Sequence, residues 1–568
     1  MIVKTRTMNL PVFAVIRFAL SRDLREIGGV LMKKWFIFIV CLWAFQASAQ
    51  QTYTAASCSQ IAVSAAIAAE QVHPVDGDII SIPAGSCTWN SGTLNVTFKN
   101  SVTVQGAGAI SATTGGASTT GSDVTALTNH NGNNSLMSIA TVAGKSLRVT
   151  GLAILEDAGS NAQNGGNLSI GGQSSAVRVD HCHFYIFVGG SKGLQLYGGV
   201  TGVVDHIYIN TTQTVTNNFV FNNGQNWKGD PDSNSLGNKS WTDTDNFGTS
   251  QFMYVEDSQI SGGYLGDCSV GGRYVIRHST VLNTFGQANH GTHNQYRGCR
   301  AAEYYKNNFS LTTASDSGGI THNNSGTTLL WGNTITGLSN GNGYYYAIDT
   351  GYSRISANYG TVPYAPNGFG MCGNVLQSDG LTHTSPWDGN QDATTGYPCL
   401  DQPARGAGDL LSGNFPPNGL GICNIALNPA CNIFTGQWPH QVLSPIYLWA
   451  NTITGTPFSL VGGGNGIVID NRDYYQQFGT YGESGSFDGT RGVGQGLLSA
   501  RPSTCTAGPG GNTLGVGYWA TDTSTLYVCN PTNTWTAYYT PYTYPHPLTQ
   551  SSLGTAVAAP TGLVASVQ

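Results

Sequence analysis

Charge is scarce in this chain: Asp, Glu, Lys and Arg supply 10% of its 568 residues, against about 25% in ordinary globular domains. Long surface helices, which draw on Glu, Lys and Arg, are therefore excluded as the main building material. Basic residues number 24 against 30 acidic ones, so nucleic acid is not an expected partner. The apolar run from Trp35 to Phe45 is too short to span a bilayer. No C-x-x-C pair occurs, which removes the usual spacing for zinc or thiol redox chemistry.

Glycine is abundant, with 76 residues, and Ser, Thr and Asn crowd the chain. Many short strands joined by tight turns suit such a composition, and the expected class is all-β. Lys33 and Lys34, the apolar run and the triplet Ala47-Ser48-Ala49 have the layout of a secretory signal cut before Gln50, with Met32 as the expected true start. Without residues 1–49, 17 basic residues face 28 acidic ones and the net charge falls to −11. Export permits disulfides. The local pairs are Cys58 with Cys87, Cys423 with Cys431 and Cys505 with Cys529, and the odd count outside the signal leaves Cys182 as the expected free thiol.

Seven segments share one template: Val179 to Phe184, Val204 to Ile209, Val255 to Ile260, Ile276 to Val281, Tyr304 to Phe309, Leu330 to Ile335 and Leu448 to Ile453. Their spacing is irregular, as expected of variable loops on a regular core. If each is one strand of a parallel coil, period-2 alternation stacks the second residues on one exposed face. That column runs Asp180, Asp205, Glu256, Arg277, Tyr305, Trp331, Trp449. Asn333 and Asn451 fall at matching corners, where they can bond the backbone and a stacked neighbour, with Asn308 one position out of line. The 51 residues between Asp205 and Glu256 leave room for an unrecognised coil.

Two insertions, 211–250 and 338–444, are the candidate walls of a groove. The first carries Trp227, Trp241 and the pairs Asp230/Asp232 and Asp243/Asp245. Residues 501–548 read as a closing segment containing a disulfide-held hairpin. Residues 549–568 read as a linker and the possible start of a fibronectin type III-like module.

"GDIISIPAGSCTW" followed by "VTVQGAG" (residues 77–89 and 102–108), with "VDHCHF" at 179–184, resembles secreted right-handed parallel β-helix proteins of the pectate lyase-like superfamily. The resemblance implies a solenoid with a short N-terminal capping helix, here the alanine-rich stretch from Cys58 to Ala69, and long loop insertions. It also implies an acidic polysaccharide as partner, cleavage by β-elimination and Ca²⁺ held by acids, here Asp180, Asp205 and Glu256. "VVDHIYI" at 203–209 is a weaker copy of the motif, and His181 and His206 are read as structural corner residues.

Arg277 is the expected base, with Arg273 on the same strand face to pair with a uronate carboxylate. The loop from Ala288 to Tyr305 supplies a metal-free alternative, with His290 and His293 taking a proton and Tyr296 returning one. Arg297, Arg300, Lys306 and Trp331 are the further candidate substrate contacts. In the plain structural reading, Arg277 bridges Glu256 and Glu303, and Arg300 pairs with Glu303. A glycoside hydrolase using Asp180 and Asp205, and a non-catalytic glycan-binding surface protein, are the alternatives on the same scaffold. A monomer without a membrane span is expected.

Overall fold

The computed structural model describes residues 4–5, 49–162, 165–229, 238–291, 297–311, 316–339, 343–350, 401, 403–408, 441–456, 460–462, 468–479 and 485–550. Each full turn of the chain is built from three short strands. Ala176–Asp180, His183–Ile186 and Lys192–Tyr197 make one turn, and Gly202–Asp205, Tyr208–Thr211 and Asn217–Asn222 make the next, each pairing in parallel with its counterpart. Among the described residues, repetition gives a sheet of twelve parallel first strands, to which Lys4–Thr5 adds an antiparallel edge strand, and a 20-stranded sheet from the second and third. The chain is a parallel β-helix, the fold that the resemblance implies.

Inward-facing residues of the first sheet form an apolar ladder. Val179, Val204, Val255, Ile276, Tyr304, Leu330 and Leu448 are all fully buried, and each such side chain contributes about 1.5–3 kcal/mol on leaving water. Cys182 lies in the same core as a free thiol, pushed up to about 12 by burial. The open end near the N-terminus is covered by a helix, Gln60–Val72, whose first turn is capped by Ser59 accepting from the Ala62 N–H at 3.3 Å. Val63, Ala66 and Ile67 on this helix join the core.

At the corner after the first strand, side chains form a hydrogen-bonded spine. Ser258 N–H donates to Ser279 Oγ, Ser279 N–H to Asn307 Oδ1, Asn307 N–H to Asn333 Oδ1, Asn333 N–H to Asn451 Oδ1, and Asn451 N–H to Gln477 Oε1. Asn307, not Asn308, is the aligned rung; Asn308 begins the next strand and is exposed.

Cys58–Cys87 and Cys505–Cys529 are bonded as expected, and Cys268–Cys299 is a further bridge. Cys423 and Cys431 lie outside the described residues, as do residues 6–48 with the signal layout and 551–568 with the module-like tail. No helix among the described residues is long and apolar enough to cross a membrane.

A smaller sheet follows the β-helix: Val493–Gly496, Gly517–Ala520, Thr525–Cys529 and Trp535–Tyr539. Its residues Trp519 and Tyr539 share a cluster with Trp331 and Trp449 on the outer face of the first sheet. The expected hairpin, within residues 515–535, is the antiparallel Gly517–Ala520 and Thr525–Cys529 pair.

Replacing Asn333 by Ala removes the acceptor for both the N–H and the Nδ2 of Asn307 and the donor to Tyr304 O. Urea unfolding is expected to show a loss of about 2–4 kcal/mol. Asn308→Ala is expected to stay within about 0.5 kcal/mol, and equal effects at both positions would contradict the spine.

Candidate functional site

The column expected from the template forms in full. Asp180 pairs in register with Asp205, Asp205 with Glu256, Glu256 with Arg277, Arg277 with Tyr305, Tyr305 with Trp331 and Trp331 with Trp449. No coil intervenes between Asp205 and Glu256. The expected exposure is not found: Asp180, Asp205, Glu256 and Arg277 are each 0% exposed. After Tyr539 the C-terminal segment runs back along this face, from the Tyr305 and Trp331 turns to the Asp180 turn. Arg277 donates to the backbone carbonyls of Tyr542 and Thr543, and Arg178 to those of Leu548 and Thr549. The His546 N–H donates to Glu256 Oε1 at 2.8 Å, and Tyr539 Oη donates to Glu303 Oε2 at 2.7 Å.

Beneath this strap the charges neutralise one another. Arg148 grips Asp180 through Nε (2.7 Å) and Nη2 (2.6 Å), Arg178 grips Asp205 through Nε and Nη2 (both 2.9 Å), and Arg277 holds Glu256 at 2.6 Å. Burial raises the Asp180 pKa, but the hydrogen bonds from Arg148 and His181 and the Arg178 charge outweigh it, holding the carboxyl well below its ordinary range. For Glu256 burial wins over Arg277 and the carboxyl is shifted upward. Arg277 is a poor base here. Burial lowers its pKa, yet Tyr305 and Glu256 hold the guanidinium charged. Nor do the three acids suit Ca²⁺: their oxygens already accept from guanidinium, imidazole, hydroxyl or amide groups.

The other expected contacts also serve packing. Arg273 is fully buried over the Trp227 ring and donates to Ser240 Oγ and to the backbone carbonyls of Ser240 and Asp245. Arg297 pairs with Asp401 at 2.6 Å, and Arg300 with Asp245 at 2.6 Å rather than with Glu303; both guanidiniums lie against Trp241. The described parts of the two insertions are thus pinned onto the first sheet. Glu303 accepts from Gly248 N–H and Tyr539, and burial lifts it to about 7. Trp331 is sandwiched between Tyr305 and Trp449 and only 4% exposed. Lys306 stays exposed, its Nζ 5.7 Å from the Trp331 ring centre. His290 is part-exposed beside Asp267 at 3.2 Å, while His293 and Tyr296 lie outside the described residues.

What remains open is the corner beside the column. His181 and His206 both take positive φ, 50° and 53°, which turns their rings outward. The rings stack at 5.1 Å with an interplanar angle of 1°. Their Nδ1 atoms lie 2.8 Å from Asp180 Oδ2 and 2.9 Å from Asp205 Oδ2. The His181 side chain is 50% exposed and that of Arg148 28%. A hydrogen bond to Asp205 raises the His206 pKa against the opposing effect of burial. One buried carboxylate therefore orients an outward imidazole and an outward guanidinium together. Arg148 escaped the sequence reading although "SLRVT" places it one turn before Arg178. His181 and His206 were legible in the Asp-His repeat but assigned a structural role.

No protein-family model matches the chain, and no curated protein matches it. Among solved structures it is similar to ORF18 of Geobacillus virus E2, with 13% sequence identity and a TM-score of 0.19, over 56% of this chain and 61% of that one. The chain therefore spans about three fifths of that protein, at a likeness too low to inform fold or activity.

Replacing Arg277 by Ala leaves Glu256 buried without its partner and is expected to destabilise the fold by about 3–5 kcal/mol. Unchanged unfolding with lost activity would instead restore Arg277 as a reacting group. Burial and the nearby cations lower His278 (Lys306, Arg277) and His546 (Arg277, Arg178) to about 3. Their unfolded values lie near 6.5, so between those limits the unfolded chain binds more protons and stability falls as pH falls. Urea titrations at pH 7 and pH 4 are expected to show that loss, with a smaller one in His546→Gln; an equal loss in the variant would contradict the assignment.

Proposed function

We propose that the protein is a secreted polysaccharide-active β-helix that cleaves a uronic-acid-containing chain by β-elimination, at the His181 corner and not on the closed face of the first sheet. The observation that carries this reading is the Asp180 carboxylate shared by Arg148 and His181. Asp180 favours the imidazole tautomer with its proton on Nδ1, so the His181 Nε2 lone pair faces outward. Arg148 binds Asp180 through Nε and Nη2, which leaves Nη1 outside that pair to meet a carboxylate of the substrate.

In the elimination, a uronate carboxylate on Arg148 spreads the charge that develops as the C5 proton leaves. His181 takes that proton, the C4–O bond breaks, a C4–C5 double bond forms, and the departing oxygen is protonated. His206, stacked on His181 and with its pKa raised by the hydrogen bond to Asp205, is the neighbouring group that gives that last proton. Three disulfides among the described residues and the signal-like segment support export. A hydrolase using Asp180 and Asp205 fits less well, since both carboxylates are fully buried and each is gripped through two hydrogen bonds by an arginine. Non-catalytic glycan binding is favoured by one observation, the part-exposed rings of Tyr185 and Tyr208 beside Asn210 on the outer face of the second sheet.

The test is a screen of pectate, alginate, glucuronan and glycosaminoglycans for unsaturated, ultraviolet-absorbing products, with and without chelator. Wild-type protein is expected to release them in both conditions, and His181→Ala to lose about 10²–10⁴-fold in kcat. Arg148→Ala is expected to raise KM as well. Saturated ends would move the assignment to hydrolysis, and binding without any cleavage to the glycan-binding reading.

A further inference from the structure

A cavity of about 480 Å³ opens between the last turns of the β-helix and the C-terminal sheet, a volume in the range of small-ligand sites. Its lining combines two aromatic rings, Phe478 and Phe487, with the hydroxyl of Thr452 and the amides of Gln477 and Gln495, and among the described residues it contains no ionisable side chain. The rings meet edge-on, with centres 5.5 Å apart. Gly494 makes this possible, because a Cβ at that position would come within 2.3 Å of the Phe487 ring. Gln477 is fixed as the last rung of the amide spine, accepting from Asn451 N–H and donating to Asn451 O.

The cavity is not isolated. Thr452 stands at the end of an outward column of the second sheet, in register with Thr334 and then Asn308, and all three are exposed. Two residues along the same strands, Thr454 pairs in register with Thr336 and Ser310, giving a second uncharged file beside the first. Successive strands lie about 4.8 Å apart, so this strip presents hydroxyl and amide groups at a regular repeat and leads into the cavity.

We infer that the cavity and its strip bind an uncharged stretch of glycan. Ring faces meet the C–H groups of a pyranose, amides and hydroxyls meet its hydroxyls, and no cation among the described lining residues is there to pair with a uronate carboxylate. The site is distinct from the proposed reacting corner. Asp180 and Trp449 are separated by six strand steps in the first sheet, or about 29 Å. The inference takes from the proposed function only that the polymer is a glycan. It adds a holding site for neutral residues of a mixed chain or of a neighbouring neutral polymer.

The test is calorimetric titration of the whole chain with neutral hexasaccharides (cello-, xylo-, manno- and galacto-oligosaccharides) and with a hexauronate. At least one neutral hexamer is expected to bind, at least tenfold more weakly in Phe487→Ala and at least threefold more weakly in Gln495→Ala. Because Gln495 is exposed, its substitution keeps the test open if Phe487→Ala fails to fold. Lack of binding by every neutral hexamer, or binding unchanged in Gln495→Ala, overturns the inference. His181→Ala is expected to leave neutral binding intact, so failure of the lyase reading and failure of this site are read separately.

Discussion

The structure depends on how a parallel coil handles charge. Stacking places equivalent residues of successive turns about 4.8 Å apart, so a column containing Asp180, Asp205 and Glu256 would repel itself unless cations intervene. The chain supplies them from the neighbouring column, two residues earlier on each strand: Arg148 reaches Asp180 one turn on, and Arg178 reaches Asp205. Arg277 enters the acid column itself. Each guanidinium has more donors than its carboxylate can accept, and two find the backbone carbonyls of the C-terminal segment. The strap lies where the spare donors are. Buried ion pairs add little net stability, but a strap shifted by one turn would leave several buried groups unmatched.

Closing this face moves the accessible chemistry to the corners. A corner residue with positive φ is costly for anything but glycine. Glycine occupies the Gly151 corner, whereas His181, His206, Asp257, His278 and Lys306 take that conformation in the turns that follow. His278 is covered, its ring 3.6 Å from that of Tyr544. His181 is not, and its Nδ1 is tied to the same carboxylate that Arg148 grips. The buried column thus orients two solvent-reaching polar groups beside it, His181 and Arg148. Preorganisation of this kind is what proton abstraction requires.

The coil register was legible because alternation is a strict local rule: each second residue of the template fell where period 2 puts it. Asn308 reads as one position out of line, and the rung is its neighbour Asn307, which the reading passed over because two adjacent asparagines offer two alignments and only the paired strands choose between them. Alternation tells which face a side chain takes, not what covers that face. Arg273, Arg297 and Arg300 therefore read as open cations, whereas their partners come from insertions with no periodicity, Asp401 lying 104 residues from Arg297. The strap was opaque for the same reason. "YYTPYTYPHPL" announces an end to strand pairing but not the surface it crosses.

Hydrogen exchange across residues 540–550 at neutral pH tests the closed face most directly. If the strap is held as described, the His546 amide, bonded to a fully buried Glu256, exchanges orders of magnitude more slowly than an unstructured amide, and Glu256→Gln speeds it. Exchange at the rate of a free peptide in the wild-type protein would mean that the acid and arginine column lies open, and the site would return to the face of the first sheet.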